Sequence, residues 1–461
     1  MASGLRRALG FRDLVLLYIV TTFSLRWIAT AAAAGPSALV LWVIAGACLF
    51  VPLVFSVLEL SSRYPDEGGM YVWSKRAFGP FAGFMTGWTY WSCNLPYYPG
   101  LLYFAAANAL FVGGASATAA LSASSSYFLA VSVVGLAIAV ALNVVGLNVG
   151  KWLTNVGAIA VWIPVALLVG FGLYSWAKYG SATSFTPRSF LPGTGLKDAI
   201  FWSTIAFAFA GVENGSTMGE EIVDTRRTVP RAVVTAGALI AGLYILGTLC
   251  VLLALPKEQV SGLQGVMQAV QAMANKAGAT WIVPIIAALV TISVLGGVSG
   301  WFAATARLPF VAGIDRFLPA AFGALHPRWK TPHVALLVQA GIALVFVFIG
   351  QAGTSVRGAY DALVSMSIIG AFIPFLYMFA AMFRLQRETA GPDVMRAPGG
   401  APVAKLLATL GFLTSLAAIV LACVPAQDEP DKALAVIKIV GASTVLVVVG
   451  AAIYMLGKHR S

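Results

Sequence analysis

The sequence predicts an all-α integral membrane protein with about twelve transmembrane helices. Of its 461 residues, 59% are hydrophobic and only 10% are charged, which is more apolar surface than a soluble core of this length needs. The hydrophobic residues fall into runs of about 20, the length that crosses roughly 30 Å of hydrocarbon. Little sequence remains between the runs, so we expect a single transmembrane domain over residues 1–461.

Twelve such runs can be placed along the chain, and they are called spans 1 to 12 below. In order, they cover residues 13–34, 39–61, 81–112, 126–147, 152–176, 197–218, 232–255, 280–304, 333–351, 360–383, 404–424 and 436–456.

Basic residues are distributed unequally between the two sides of these spans. With the N-terminus inside, 20 Lys and Arg lie on the cytoplasmic side and 8 on the other, while Arg26 lies within span 1. Cytoplasmic loops of membrane proteins carry the excess of positive charge. We therefore expect a multi-pass protein of the cell membrane (inner or plasma membrane) with both termini in the cytoplasm. The net charge of +12 then reflects topology and not nucleic-acid binding.

Motifs of soluble enzymes are missing from the sequence. It contains no P-loop, no HExxH and no CxxC, and its three His lie in loops or at span ends. A membrane-embedded enzyme would need clustered His, Asp or Glu with ligand spacing. We therefore expect no enzyme activity, no metal site and no cofactor. A channel is a second alternative, and a lack of stimulation by counter-substrate would distinguish its flux from that of a carrier.

Span 6 carries the clearest interruption of the apolar pattern. Residues 207–215 read FAFAGVENG, so glycines and a carboxylate break a hydrophobic run. Backbone that is not helical at membrane depth leaves N–H and C=O groups unpaired, and it is tolerated only where protein or a water-filled cavity surrounds it. The break therefore predicts a binding site near the middle of the membrane.

Two other segments have a characteristic order and spacing. Residues 63–73, after span 2, read RYPDEGGMYVW, where proline and paired glycines end a helix before an amphipathic basic segment. Residues 296–301 of span 8 read GGVSGW. Together with the span 6 break, these segments resemble the amino acid–polyamine–organocation (APC) superfamily of transporters, specifically its bacterial amino acid permeases. The resemblance covers nearly the whole chain.

This resemblance implies a LeuT-type fold, in which broken helices 1 and 6 belong to a 5+5 inverted repeat. Residues 12–176 would form the first repeat, residues 195–384 the second, and residues 401–457 two peripheral helices, 11 and 12. By the family's pattern, Phe207 looks like an aromatic gate and Trp301 like an aromatic wall of the site on span 8.

The function that the resemblance implies is secondary active or exchange transport of amino acids across the cytoplasmic membrane. Transport would proceed by alternating access around a central site between helices 1, 3, 6 and 8. The expected partners are an amino acid substrate and the lipid bilayer, with proton or counter-substrate coupling as an option. The alternative is a polyamine/organic cation or organic anion carrier of the same fold.

Broken helices give a physical reason for such a site. Unwinding exposes the positive end of one half-helix and the negative end of the other, so backbone groups can bind a zwitterion without a charged side chain. The candidate substrate-binding residues are Thr21, Thr22, Phe23, Ser24, Arg26, Asn94, Tyr98, Phe207, Ala208, Gly211, Glu213, Asn214 and Trp301, with Tyr97 as a further pocket candidate. The candidate gating residues are Phe207, Trp301 and Glu59. Ordinary packing around the Pro96 and Pro99 kink explains the three span 3 candidates equally well.

Span 1 departs from the family's pattern in two ways. It lacks the expected glycine-serine-glycine turn and has residues 21–27, TTFSLRW, in its place. It also carries Arg26, and an arginine near the centre of a helix costs at least about 2.5–3.5 kcal/mol on insertion scales. Arg26 could pair with Glu213 or with carbonyls freed at the breaks, could contact a substrate carboxylate directly, or could extend toward an aqueous vestibule.

A second departure concerns energy coupling. Some proton-coupled family members have a lysine in the middle of span 5, whereas residues 157–163 read GAIAVWI. Arginine stays protonated, so Arg26 could supply a fixed charge that does not titrate. The sequence thus favours an exchanger or facilitator, or proton coupling through another group such as Glu213.

Overall fold

The computed structural model describes residues 10–64, 68–145, 147–213, 222, 225–311, 317–389, 391, 394–425 and 429–458. The α-helices in chain order are α1 (Phe11–Thr22), α2 (Leu25–Ala32), α3 (Ser37–Ala45), α4 (Val51–Arg63), α5 (Met70–Phe78), α6 (Pro80–Ser92), α7 (Asn94–Ala109), α8 (Gly114–Leu121), α9 (Ser125–Val145), α10 (Leu147–Ala160), α11 (Trp162–Tyr179), α12 (Leu196–Phe207), α13 (Thr225–Ala254), α14 (Gly265–Ala277), α15 (Ile282–Thr305), α16 (Leu308–Val311), α17 (His333–Gln351), α18 (Val356–Leu385), α19 (Gly400–Ala422), α20 (Lys432–Val436) and α21 (Ala442–Lys458).

All twelve predicted spans contain helix. In the described part of the chain, nine helical stretches are long and apolar enough to cross a membrane, and the bent pair α1 and α2 makes ten. Span 3 is divided at Cys93 between α6 and α7, and α12 is the 12-residue first half of span 6. The prediction of an all-α membrane fold is confirmed, and the count of about twelve helices is approximate.

Span 1 is broken where the sequence analysis places the break. Helices α1 and α2 are bent by 48° relative to each other, and Phe23 (φ −76°, ψ 131°) and Ser24 (φ −145°, ψ 133°) between them are extended. Any L-residue adopts these angles. The break therefore forms without the glycines that the family pattern has there.

Span 6 is broken after Phe207. The amide groups of Phe209 and Ala210 donate to carbonyls three residues earlier, so the helix tightens into turns. Gly211 then has a φ of +131°, a conformation that is essentially restricted to glycine. Asn214 lies outside the described residues, so its predicted role stays a prediction.

Span 2 shows how the fold compensates for an internal proline. Pro52 has no N–H group, so the carbonyl of Cys48, four residues earlier, loses its helical partner. A π-helical segment, Gly46–Phe50, occupies this region, and the Thr414 hydroxyl group donates to the Cys48 carbonyl at 3.0 Å. The α19 helix of span 11 thus stabilises the irregular part of span 2.

The helices pack in two groups. Spans 1, 2, 6 and 7 pack against one another through α1, α2, α3, α12 and α13, and spans 3, 4, 5, 8 and 9 through α7, α9, α10, α15 and α17. The α18 helix of span 10 packs on α5, α6 and α7, and also on α19. The first group contains both broken spans, and part of the second group faces it through α7.

Candidate functional site

The unwound segments of spans 1 and 6 lie directly against each other. The Thr21 hydroxyl group donates to its own helix at Leu17, 3.0 Å away, and lies 3.4 Å from the Gly211 carbonyl oxygen. A Cβ atom on Gly211 would come within 2.7 Å of both the Thr21 carbonyl oxygen and the Thr22 hydroxyl oxygen. Only a glycine allows the two backbones to approach this closely.

Tyr244 of span 7 connects the two breaks. Its hydroxyl group lies 2.8 Å from the Thr22 carbonyl oxygen and 3.3 Å from the Ala208 carbonyl oxygen, and it accepts the N–H group of Ser24 at 3.2 Å. Its ring stacks on Trp42 of span 2, with the ring centroids 4.4 Å apart. One side chain thus satisfies backbone groups that unwinding releases in both spans. No sequence signal indicates this role, because Tyr244 is a single tyrosine in an apolar run.

Thr22 keeps one polar group without a partner at this junction. Its side chain is buried, and among the described residues nothing bonds its hydroxyl oxygen. Helix geometry also leaves the first N–H groups of α2 without acceptors inside the helix. The junction therefore presents both a hydroxyl group and the positive end of a half-helix.

Arg26 is completely buried on α2, two residues beyond the break. In the described part of the protein, none of its three guanidinium nitrogen atoms has a hydrogen-bond partner. Its guanidinium carbon lies 4.0 Å from the centroid of the Trp27 ring and 4.5 Å from that of the Tyr97 ring. Cation–π contacts of this kind contribute about 2 kcal/mol when desolvated, whereas removing an ion from water costs several kcal/mol. The two rings alone do not compensate for burial of this charge.

An aromatic cluster surrounds this position. The Phe207 ring contacts Trp27 edge-on at a centroid separation of 5.4 Å, and it also contacts Tyr97 at 6.4 Å and Phe372 at 6.0 Å. The cluster therefore joins spans 1, 3, 6 and 10. Sequence reasoning selected Phe207 and Tyr97 but missed Phe372, which is one of several phenylalanines in an apolar span.

Glu213 is buried in the span 6 break and does not bond Arg26. One carboxylate oxygen accepts the N–H group of Gly211 at 2.8 Å, and the other accepts the hydroxyl group of Tyr90 at 3.1 Å. Glu213 thus fixes the unwound turn and ties it to span 3. The predicted pairing of Arg26 with Glu213, one of the alternatives for Arg26, is wrong for this structure. The carboxylate has other donors, and the side chain of Arg26 lies between the rings of Trp27 and Tyr97.

Two other candidates, Asn94 and Tyr98, lie in packing positions. The Asn94 amide group donates to the carbonyl of Tyr90 at 2.9 Å, next to the interruption of span 3. The Tyr98 hydroxyl group bonds Thr305 and Gln339 in a buried network between spans 3, 8 and 9. Both residues therefore have the packing contacts that the sequence analysis weighed as the alternative. Substrate contact by either of them stays a prediction.

Trp301 of span 8 lies outside the aromatic cluster. It is partly buried against the packing layer of Tyr98 and Phe302. Among the described rings, it makes no contact with Phe207. Its roles as a wall of the site and as a gate remain predictions.

Glu59 forms a separate cluster at one end of span 2. The distribution of basic residues predicts that this end faces the cytoplasm. The Glu59 carboxylate bonds Arg63 at 2.9 Å, the Gln386 amide group at 2.7 Å and the N–H group of Ala397 at 3.0 Å. The described partners thus come from its own helix and from the segment between spans 10 and 11. Glu59 is one of the candidate gating residues, and these contacts connect span 2 to the segment that follows span 10.

Two exposed residues, Arg76 and Glu388, extend this cluster. Arg76 bonds Glu388 at 2.9 Å, and Tyr64 donates to the same carboxylate at 2.8 Å. The hydrogen bond from Arg76, followed by that from Tyr64, lowers the pKa of the Glu388 carboxyl group below its ordinary value. Because both side chains of the Arg76–Glu388 pair are about half exposed, its contribution to stability is small.

The all-α fold and its two adjoining broken spans define a multi-pass membrane protein with a LeuT-type fold. In a comparison with solved structures, MhsT in complex with L-phenylalanine matches with a TM-score of 0.60 at 14% identity, over 91% of this chain and 99% of that chain. The chain belongs to the amino acid permease family, because the family model described as "Amino acid permease" matches residues 9–452.

Curated relatives of similar length carry transporter names. An uncharacterized transporter of Legionella pneumophila is 27% identical over 93% of this chain and 92% of the relative. A probable agmatine/putrescine antiporter of Lactococcus lactis, AguD, is 21% identical over 95% of this chain and 92% of the relative. Both names are those of transporters, and only the second one names substrates.

Proposed function

We propose that the protein carries amino acids across the cytoplasmic membrane by alternating access around a central site. The site lies between spans 1, 3, 6 and 8, with its centre at the junction of the two breaks. The contacts of Arg26, Phe207 and Tyr97 support the participation of spans 1, 3 and 6, and Phe372 adds span 10. We include span 8 because, by the family's pattern, Trp301 looks like an aromatic wall of the site.

One observation carries this proposal: Gly211 brings the unwound backbone of span 6 against that of span 1. Two half-helix ends of opposite polarity then meet at membrane depth. The N–H groups of the first turn of α2 can receive a carboxylate, and carbonyls released at the breaks can receive an ammonium group. A zwitterionic amino acid fits this arrangement, and Phe207 beside it would act as an aromatic gate.

The packing supports the repeat boundaries that the family resemblance implies. Spans 1 and 2 pack with spans 6 and 7, and spans 3 and 4 pack with spans 8 and 9. This correspondence is what two repeats of five spans would produce. We take residues 12–176 and 195–384 as the repeats and 401–457 as peripheral helices. Both termini then face the cytoplasm, and the Glu59 cluster belongs to the inner gate.

For energy coupling, we propose exchange of one substrate for another. Arg26 provides a fixed positive charge, and a guanidinium group does not release its proton under physiological conditions. The relative AguD is named as an antiporter, which agrees with exchange. Glu213 is the group through which a proton would couple instead.

Counterflow in proteoliposomes tests the proposed function. Liposomes preloaded with one amino acid should take up the same labelled amino acid from outside, saturably and faster than unloaded ones. Protein-free liposomes are the control. Flux that neither saturates nor responds to preloading would contradict a carrier. Uptake that requires an imposed proton gradient and disappears in Glu213→Gln would contradict the exchange mechanism while leaving the carrier intact.

A further inference from the structure

The guanidinium group of Arg26 has no counter-charge among the described residues. No described carboxylate lies within ion-pairing distance, and Glu213, the buried acidic residue of the same junction, is bonded to Gly211 and Tyr90. A buried charge inside a membrane protein is normally paired or marks a substrate pathway. Arg26 therefore offers a site for an anion that none of the described residues supplies.

The geometry restricts how an anion can approach. The rings of Trp27 and Tyr97 contact the guanidinium group, and its N–H groups have no acceptor in the described part of the chain. A small residue, Gly100, lies beside one of these nitrogen atoms, and even an added Cβ there would be 3.5 Å from it. Arginine presents a planar fork of donors that matches the two oxygen atoms of a carboxylate.

The side chain of Arg26 also lies to one side of the backbone junction. Tyr244 of span 7 bonds the unwound residues Thr22 and Ser24, whereas Arg26 extends toward Tyr97 and Gly100 of span 3. If the backbone binds the α-ammonium and α-carboxylate groups, the space beside Arg26 receives the substrate's side chain.

We propose that the substrates are acidic amino acids, whose side-chain carboxylate binds Arg26 while the α-groups bind the two breaks. This inference rests on the proposed function, and it deepens that proposal by naming the substrate class. It also disfavours polyamines and organic cations, because a cation in the same place would meet an unpaired positive charge. The expected ligands are L-glutamate and L-aspartate.

Binding to the purified protein tests the substrate class. We expect L-glutamate or L-aspartate to bind at least about tenfold more tightly than its amide, because the amide lacks the charge that Arg26 recognises. Succinate, which has two carboxylates but no ammonium group, should also bind at least about tenfold more weakly. Equal or tighter binding of L-glutamine, L-asparagine or succinate would overturn the inference. If neutral amino acids bind and are exchanged, the inference is also overturned, whereas the proposed function stands.

Variants of Arg26 test the residue itself. Arg26→Gln should weaken L-glutamate binding by about 10- to 100-fold while changing L-glutamine binding much less. The L-glutamate affinity of Arg26→Lys should lie between those of wild type and Arg26→Gln, because lysine keeps the charge but lacks the planar fork of donors. Arg188→Gln, at an exposed position of the short 3₁₀ helix Pro187–Phe190, is the matched control and should bind as wild type. Unchanged discrimination between glutamate and glutamine in Arg26→Gln would overturn the inference.

A melting curve without ligand separates substrate binding from a structural brace. If Arg26 awaits a substrate, Arg26→Gln removes an uncompensated buried charge, and the ligand-free protein should melt at the same temperature as wild type or higher. If Arg26 braces the helices, the ligand-free variant should melt lower, and the inference would fail. Elution as a single species on size exclusion shows that the variant is folded.

Discussion

The hydroxyl group of Tyr244 in span 7 lies 2.8 Å from the carbonyl oxygen of Thr22, the last residue of α1. This hydrogen bond joins residues 222 positions apart in the chain. It satisfies a backbone group that would otherwise be orphaned where span 1 unwinds. The broken helix is thus stabilised from a neighbouring span and not by its own sequence.

Removing this hydroxyl group should destabilise the junction. In Tyr244→Phe, the Ser24 N–H group loses its acceptor and the Thr22 carbonyl loses its donor, which costs about 1–3 kcal/mol for each unsatisfied group. We expect a lower melting temperature and slower exchange. Tyr174→Phe, at a half-exposed position of span 5, should leave both unchanged. Equal behaviour of the two variants would contradict the role of Tyr244.

Gly211 should not tolerate a side chain. Gly211→Ala would place a Cβ atom 2.7 Å from Thr21 and Thr22 at a φ of +131°, and the strained conformation alone costs of the order of 1–3 kcal/mol. We expect loss of exchange because the breaks can no longer approach each other. Gly242→Ala, where an added Cβ meets nothing within 4 Å, is the control. Normal exchange by Gly211→Ala would show that the close approach is dispensable.

Glu213 should matter as a hydrogen-bond acceptor. Glu213→Gln keeps a carbonyl oxygen that can accept from Gly211, whereas Glu213→Ala leaves that buried N–H group without its described partner. Exchange should therefore persist in the first variant and be largely lost in the second, with no requirement for a pH gradient. Loss of both would indicate that the ionised carboxylate is needed, and a gradient requirement would indicate proton coupling.

The Arg76–Glu388 pair should give a small pH-dependent stability. A carboxyl group whose pKa is lowered on folding stabilises the protein above its unfolded pKa, near 4.5, and this stabilisation is lost as the pH falls through the lower folded value. Wild type should therefore melt slightly above Glu388→Gln at neutral pH, and the difference should disappear in acid. A difference independent of pH would mean that packing and not charge holds this contact.

The sequence predicted the parts of the site that interrupt an apolar pattern. Glycine, glutamate and arginine are conspicuous inside hydrophobic spans, so the span 6 break, Glu213 and Arg26 could be selected, and the polar residues of span 1 indicated its break without glycine. Phe207 was selected through the family's pattern, and Tyr97 as a pocket candidate of span 3 for which ordinary packing was an equal alternative.

The partners of these residues could not be predicted in the same way. Tyr244 and Phe372 are ordinary residues of apolar spans until folding brings them to the breaks. Whether Arg26 would meet Glu213 depended on side-chain directions. The Glu213 carboxylate is held by the Tyr90 hydroxyl group of span 3 and the Gly211 N–H group of span 6, and the Arg26 side chain is held by two aromatic rings. Two of the described partners of Glu59, Gln386 and Ala397, come from the segment after span 10, and no local pattern near Glu59 points to them.

Substrate protection of a single cysteine tests the central claim, that the adjoining breaks form the substrate site. The measurement compares Ser24→Cys and Ser184→Cys, each in a protein whose four native cysteines are replaced, and records the rate of modification by a thiol reagent. The amino acid with the highest exchange rate should slow modification of Ser24→Cys, at concentrations that match its transport affinity, and leave the exposed Ser184→Cys unaffected. Equal modification of Ser24→Cys with and without that amino acid would contradict a site at the breaks.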